Sequence, residues 1–294
     1  MNTYSAIASN KRKTWLIMVL FVVFLTTLVY VFVKALGYDL SYVFLALIAT
    51  TFISFLSYFA SGKIVLSSLG AKKITKDEYP EFFRIVENLS IGAGLPMPSV
   101  FVINDASPNA FATGRDPNHS VICATTGLLN RLDKIELEGV IAHELSHIKN
   151  YDIRLMGIVA ILVGSAVILS NFFLRSMGHN RESRGNIQII FLVIGLVFAL
   201  LSPLIATLIQ LAISRKREYL ADASAVLLTR YPNGLASALE KISSDPKPLN
   251  GASNATAHLF IANPFKNKES KTWLTSLFNT HPPIEERIKI LHSM

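Results

Sequence analysis

The sequence predicts a mainly α-helical protein in which a globular domain with a small β-sheet is fused to four membrane-crossing helices. Three observations lead there. Hydrophobic residues make up 51% of the 294 positions and charged residues only 16%, where a soluble domain carries about 25% charge, and the mean hydropathy is +0.42. Four stretches without a charged residue, at 14–33, 40–62, 155–174 and 185–214, reach the ~20 residues that a helix needs to cross the hydrocarbon core. The polar segments that remain, 63–152 and 215–294, together hold about 170 residues, enough for one globular domain.

The first two runs form a hairpin closed by a turn around Gly37 and Asp39. The fourth is long and contains Pro203, so it must tilt, kink or leave the bilayer before its end. Runs of this length disfavour buried helices of a soluble protein, and the first is too long for the apolar part of a cleaved signal peptide. Lys11, Arg12 and Lys13, then Lys63, Lys72 and Lys73, then Arg215, Lys216 and Arg217 flank the spans and place both termini and the polar segments on the cytoplasmic side. Arg175, Arg181 and Arg184 oppose this but are outnumbered. The expected organisation is a hairpin at 1–62, a first part of the domain at 63–152, a second hairpin at 153–214 and a second part at 215–294. The same flanking residues account for the net charge of +8 without invoking nucleic acid. Cys123 stands alone, which excludes an intrachain disulfide and any multi-cysteine metal site.

Within the polar segments, 78–90 reads as an amphipathic helix with Pro80 in its first turn and Gly92 and Gly94 ending it. Short β-rich runs at 99–103, 109–114 and 120–125, separated by Asp, Pro, Asn and Gly, predict the sheet. Asp133 followed by Glu136 is a capping-box start for a helix running to about Asn150, and 215–229 is a second helix. The segment 243–271 is rich in Ser, Asn, Ala, Lys and Pro and reads as a mobile loop with an apolar island at 259–265.

The chemistry concentrates in His143-Glu144-Leu145-Ser146-His147. On a helix, positions i and i+4 lie on one face, so both imidazoles reach a single zinc ion, and Glu144 beside them takes a proton from water and passes it to a leaving amine. Leu137, Val140, Ile141 and Ile148 supply a buried face. A catalytic zinc needs a third protein ligand. The metzincin extension would require Gly at 150 and His at 153, where Asn150 and Ile153 stand. Glu218 in Arg217-Glu218-Tyr219-Leu220-Ala221-Asp222 supplies a carboxylate instead, with Asp222 one turn on to fix the ring of a ligating histidine and Ala221, Ala223 and Ala225 to let the helices approach. The competing reading is a solvated acidic helix face, in which case His281 or Asp152 is the third ligand. His119, His179, His258 and His292 read as surface histidines.

The segments 143–152 (HELSHIKNYD), 217–222 (REYLAD), 109–114 (NAFATG) and 281–288 (HPPIEERI) resemble, in the same order, the HtpX family of bacterial inner-membrane zinc metalloproteases. The resemblance covers essentially the whole chain. A more distant one is to the CAAX prenyl proteases, which have more spans. It implies a gluzincin fold, one zinc per chain held by His143, His147 and Glu218, and a multi-pass protein of the inner membrane that faces the cytoplasm. The implied activity is endopeptidase cleavage of damaged or misfolded membrane proteins. Its partners would be polypeptide substrates and the lipid bilayer.

The resemblance also implies roles for two weaker segments. Asn109, Ala110, Phe111, Ala112, Thr113 and Gly114 would form an edge strand along which an extended substrate lies. His281 and Arg287 would stabilise the developing oxyanion. The plain alternatives are an edge strand without a ligand, and a helix start at Pro282 and Pro283 with Arg287 in solvent. As functions, a CAAX-type processing protease and a non-catalytic membrane scaffold compete; a scaffold would be expected to lose Glu144, and a transporter would need ionisable residues within the spans.

Overall fold

The computed structural model describes residues 3–36, 39–177, 215–253, 255–265 and 282–294. Helices α1 (Thr3–Leu36) and α2 (Ser41–Ser68) pack against each other, and residues 37–38 of the expected turn between them lie outside the described residues. Among the described residues, α2 is the one helix long and apolar enough to cross a membrane, and only 11% of its most apolar stretch is buried. Its buried positions Thr50, Ser54, Ser57 and Ser61 recur every three or four residues as a stripe of small side chains. Such a stripe lets neighbouring helices come close, while Phe44, Ile48, Phe52 and Phe55 face outward. The third apolar run lies in α6 (Asp152–Met177), where Leu155, Ile158, Val159 and Leu162 meet Ile17, Met18 and Phe21 of α1. The fourth run lies outside the described residues.

A four-stranded mixed sheet has the order β1-β2-β4-β3, with β1 at Lys72–Lys73, β2 at Ser99–Ile103, β3 at Ala110–Gly114 and β4 at Ser120–Thr125. β2 and β4 run parallel in the register Phe101 to Cys123, and the other two pairs are antiparallel. The period of two sorts the faces. Val100, Val102, Ile122 and Ala124 turn to the core of the globular domain, whereas Phe101, Ile103, Phe111 and Cys123 turn to the end of α2 and the start of α6. Burial pushes the Cys123 thiol far up, so it serves as a small apolar side chain. β1 was not expected, because two lysines carry no apolar alternation.

The first amphipathic helix is α3 (Pro80–Ala93), displaced from the expected 78–90. Pro80 occupies its first turn and Gly94, at φ +67°, ends it, while the Glu78 carboxylate accepts from the Thr75 amide in the turn before. A short helix α4 (Thr126–Arg131) leads into α5 (Lys134–Lys149), which begins at the expected Asp133–Glu136 capping box and is buried almost all round. It packs on α7 (Arg215–Thr229), found where expected, and on α8 (Pro232–Ser244), which was not. The crossing with α8 depends on Gly139, since a Cβ there would meet the Leu235 amide nitrogen at 2.7 Å. α9 (Ile284–His292) closes the domain against α8.

The expected mobile loop at 243–271 is corrected over its described part. Leu249, Leu259, Phe260, Ile261 and Ala262 are buried, and Phe260 stands edge-on to Phe111 with ring centroids 5.1 Å apart. Composition suggested mobility because Ser, Asn and Lys separate the few apolar anchors. His258 is likewise buried, with Nε2 3.0 Å from the Met156 carbonyl, and is not a surface histidine. His119 and His292 are on the surface, and His179 lies outside the described residues.

Candidate metal centre

The helical spacing in α5 stacks His143 and His147 one turn apart, 1% and 4% exposed, with their Nε2 atoms 3.1 Å from each other. Glu218, in the first turn of α7, brings Oε1 to 3.6 Å from His147 Nε2 and Oε2 to 3.9 Å from His143 Nε2. One donor atom from each of the three lies within 4.8 Å of the others. Ala221 and Ala225 are buried between α5 and α7, as close approach requires, while Ala223 is only half-buried.

Each imidazole is braced from behind. Asp222 Oδ1 stands 2.9 Å from His143 Nδ1, where the one-turn offset from Glu218 was expected to put it. Asp152 Oδ2 stands 3.0 Å from His147 Nδ1. Asp152 is therefore a ring partner on the far side from Glu218, a role the sequence reading missed although the residue follows the histidine pair by only five positions. Asp152 is itself held by Asn10 Nδ2 at 2.7 Å and lies 3.4 Å from Arg217 Nη1, and Arg217 also donates to Asn10 Oδ1 at 3.0 Å. Nothing in the sequence links Asn10 to a site more than 130 residues away.

These contacts test the donor set. A carboxylate on each Nδ1 favours a ring proton there, which directs both Nε2 atoms toward each other at 3.1 Å with the Glu218 carboxylate beside them. Three potential ligand atoms thus converge within 4.8 Å of one another in a buried, carboxylate-bearing cluster, a donor set that fits a metal cation. Ligand atoms about 2.0–2.2 Å from one tetrahedral ion stand roughly 3.3–3.6 Å apart, close to the separations found. The surrounding carboxylates favour positive charge at His147 as well. Burial alone would lower its pKa, but the Asp152 hydrogen bond and the Glu218, Asp152 and Glu144 carboxylates outweigh it and raise the value to about 9. At His143 burial prevails over the Asp222 pairing and the pKa falls.

Glu144 is 2% exposed and its pKa is pushed up to about 7, chiefly by burial, with Glu218 adding to the rise and His147 opposing it. Its carboxylate accepts from the backbone N–H of Ala112. Arg287 is fully buried, which removes the solvent-exposed alternative. It donates from Nε to Asp222 Oδ2 at 2.9 Å, from Nη2 to Asp222 Oδ1 at 2.7 Å and from Nη1 to the Ile261 carbonyl at 3.2 Å, and Nη1 lies 3.8 Å from Glu218 Oε2. Burial would raise the Asp222 pKa, but Arg287 and His143 overcome it and lower the value to about 2. His281 lies outside the described residues.

β3 is an edge strand, as expected, but its outer side is partly occupied by this chain. Ala110 O accepts from the Ile261 amide at 3.0 Å, Asn109 Nδ2 donates to Ala262 O at 3.0 Å, and Ala112 N–H is taken by Glu144. Residues 260–262 thus lie along the first half of the strand.

Residues 77–294 match the model of Peptidase family M48. The chain is 46% identical over 291 residues to a "Protease HtpX homolog" of Dictyoglomus thermophilum, covering 99% of this chain and 94% of the other. It is also 46% identical to proteins of that description from Thermoanaerobacter pseudethanolicus, over 99% of this chain and 97% of the other, and from Tropheryma whipplei, over 99% and 98%. The crystal structure of S. mikatae Ste24p aligns over 90% of this chain and 61% of that one, at 20% identity and a TM-score of 0.47. The family match and the full-length relatives at 46% identity, together with a buried His-His-Glu group, identify the chain as a membrane-bound protease belonging to Peptidase family M48.

Proposed function

We propose that the chain is a gluzincin-type zinc endopeptidase, with one zinc per chain, that hydrolyses damaged or misfolded membrane proteins at the cytoplasmic face of a bacterial inner membrane. The observation that carries this reading is the convergence of His143 Nε2, His147 Nε2 and the Glu218 carboxylate, with Asp222 and Asp152 behind the two rings. When bound there, zinc supplies a Lewis acid that acidifies water to near neutrality and polarises a carbonyl. Glu144 receives a proton at its carboxylate and delivers it to the leaving nitrogen, a task suited to a pKa near 7.

Arg287 adds positive charge on the side where an oxyanion develops, while its bidentate pairing keeps Asp222 ionised and aimed at His143. His281 is assigned the second donor on its motif alone. Substrate would lie along Asn109, Ala110, Phe111, Ala112, Thr113 and Gly114, taking over the Ala110 carbonyl from Ile261 and the Ala112 amide from Glu144. The four-span organisation, with hairpins at 1–62 and 153–214 and the domain split between 63–152 and 215–294, is part of the same proposal. An aromatic and basic belt supports it. Trp15 stacks on Tyr58, Lys11 lies 4.4 Å and Arg154 5.0 Å from the Tyr151 ring centroid, and Arg154 lies 5.4 Å from that of Tyr58. Such pairs gather where a membrane meets water.

The deciding experiment compares detergent-purified wild type with Glu144→Gln for zinc content and for cleavage of an unfolded polypeptide. The variant keeps its zinc and loses hydrolysis. Wild-type protein without zinc, or a variant cleaving near the wild-type rate, would overturn the reading. His143→Ala and Glu218→Ala lose metal and activity together.

A further inference from the structure

A cavity of about 610 Å³ opens between the C-terminal turns of α2 and the sheet, away from the metal ligands. Its apolar wall includes Leu56, Phe59 and Leu66 of α2 and Phe101 of β2. Its polar rim carries Lys63, Lys73 and Arg115, with His119 and Ser120 beside them. Among the described residues no carboxylate lines it. The nearest in sequence, Asp116, is already paired with Arg115 at 3.4 Å and His119 at 2.8 Å. Lys63 and Lys73 are exposed and make no ion pair among the described residues. Arg115 is fixed in place, its guanidinium 5.2 Å from the Phe59 ring centroid and its carbonyl accepting from Arg154 Nε.

The cavity is thus cationic at one end and apolar at the other, and the apolar end is continuous with exposed α2 surface. Phe52, Phe55, Leu56 and Phe59 are all exposed and run along the helix toward the rim. Arg154, hydrogen-bonded to the rim through Arg115, also contacts Tyr58 and Tyr151, which puts the cavity at the level of the aromatic and basic belt. A soluble anion would use the cations and leave the apolar wall in water; a neutral lipid would do the reverse. A molecule carrying a phosphodiester next to acyl chains satisfies both, and the volume is in the range of small-molecule sites.

We propose that this cavity binds one anionic phospholipid, its phosphate among Lys63, Lys73 and Arg115 and the first part of its chains against Leu56 and Phe59. The proposal rests on the reading of α2 as a membrane span. The bound lipid also braces the contact of α2 with the end of β3, where a Cβ on Gly62 would stand 3.6 Å from Gly114 Cα. The site therefore couples the charge of the surrounding bilayer to the strand proposed to receive substrate.

The test titrates the full chain in detergent with dioleoylphosphatidylglycerol, with dioleoylphosphatidylcholine and with glycerol 3-phosphate, reading bound lipid by native mass spectrometry. Phosphatidylglycerol is expected to bind, with the other two at least about tenfold weaker. Lys63→Gln and Lys73→Gln each weaken it about fivefold, the effect of one cation at a lipid headgroup, whereas Arg12→Gln, a basic residue on α1 outside the cavity, leaves it unchanged. Lys63→Arg and Lys73→Arg retain binding, and unchanged zinc content and thermal unfolding of the Gln variants separate a lost site from a lost fold. Phosphatidylglycerol binding that survives the double Gln variant, or that phosphatidylcholine matches, overturns the proposal. So does glycerol 3-phosphate binding as tightly, which would mark a site for soluble anions. Failure of the span reading shows separately, as release of the chain from phosphatidylglycerol vesicles by alkaline washing.

Discussion

Asn10, on the N-terminal helix α1, donates from Nδ2 to Asp152 Oδ1 at 2.7 Å, and Asp152 in turn holds His147 at 3.0 Å. A residue of α1 is therefore two contacts from the His147 imidazole. Asn10 is 2% exposed, and its second donor bond, to the Asn150 carbonyl at 2.9 Å, ties it to the turn between α5 and α6. Asn10→Ala leaves Asp152 Oδ1 with Arg217 at 3.4 Å. The expected cost is about tenfold in zinc affinity, the low end for a residue behind a ligand, and Asp152→Ala costs more. Chelator competition measures both; an Asn10→Ala affinity equal to wild type would reduce Asn10 to a packing residue.

Arg287 and Asp222 act as a unit behind His143. Asp222→Asn is expected to lower metal affinity or activity about 10 to 100-fold without abolishing either. Arg287→Ala is more damaging, because it strands the buried Asp222 charge at a cost of about 3–5 kcal/mol in stability. If Arg287 works through Asp222, Arg287→Lys costs little further zinc affinity in the Asp222→Asn background than it does alone. Additive losses would show that Arg287 serves the centre independently of Asp222.

Gly139 sits one helical turn before His143, where α8 crosses α5. In Gly139→Ala the new methyl would meet Leu235 N at 2.7 Å and Leu235 Cα at 2.9 Å, both backbone atoms that cannot rotate away. A loss of about 1–3 kcal/mol is expected from this overpacking, read by thermal unfolding of the zinc-bound protein. A variant as stable as wild type would mean that α8 slides on α5 at little cost.

The sequence made the three converging side chains legible because helical spacing and the demand for a third donor are local rules, and His143, His147, Glu218 and Asp222 obey them. The strands at 99–103 and 120–125 appear at those positions because β-branched runs between turn residues leave few alternatives. What stayed illegible depends on contacts distant in sequence. Asn10 reaches Asp152 across 142 positions, and Ile261 reaches Ala110 across a segment whose composition suggests a loop. α8 was legible and was missed: Pro232 stands in its first turn and Leu235, Leu239 and Ile242 recur at helical spacing on its buried face. The roles of residues 109–114 came from resemblance alone, and pairing with 260–262 had no local cue.

The last prediction concerns depth. α5 ends at Lys149, and Tyr151, at φ +60°, turns the chain into α6, whose first residue is Asp152. The site is therefore tied to the very start of α6, only three residues and ~5 Å of helix before the apolar run at 155–174. Asn10 and Asp152 also stand beside Lys11, Tyr151 and Arg154, three members of the aromatic and basic belt. A metal held by His147 is then expected within about 15 Å of the lipid headgroups, since one imidazole and one carboxylate span the remaining gap. Such a position lets a loop or chain end emerging from the bilayer reach β3 without being drawn far into the cytoplasm. Cobalt substituted for zinc in vesicle-reconstituted protein would broaden a headgroup spin label strongly at that range. A separation beyond about 25 Å, several times the thickness of one headgroup layer, would detach the site from the membrane surface and leave Asn10 as a purely structural strut.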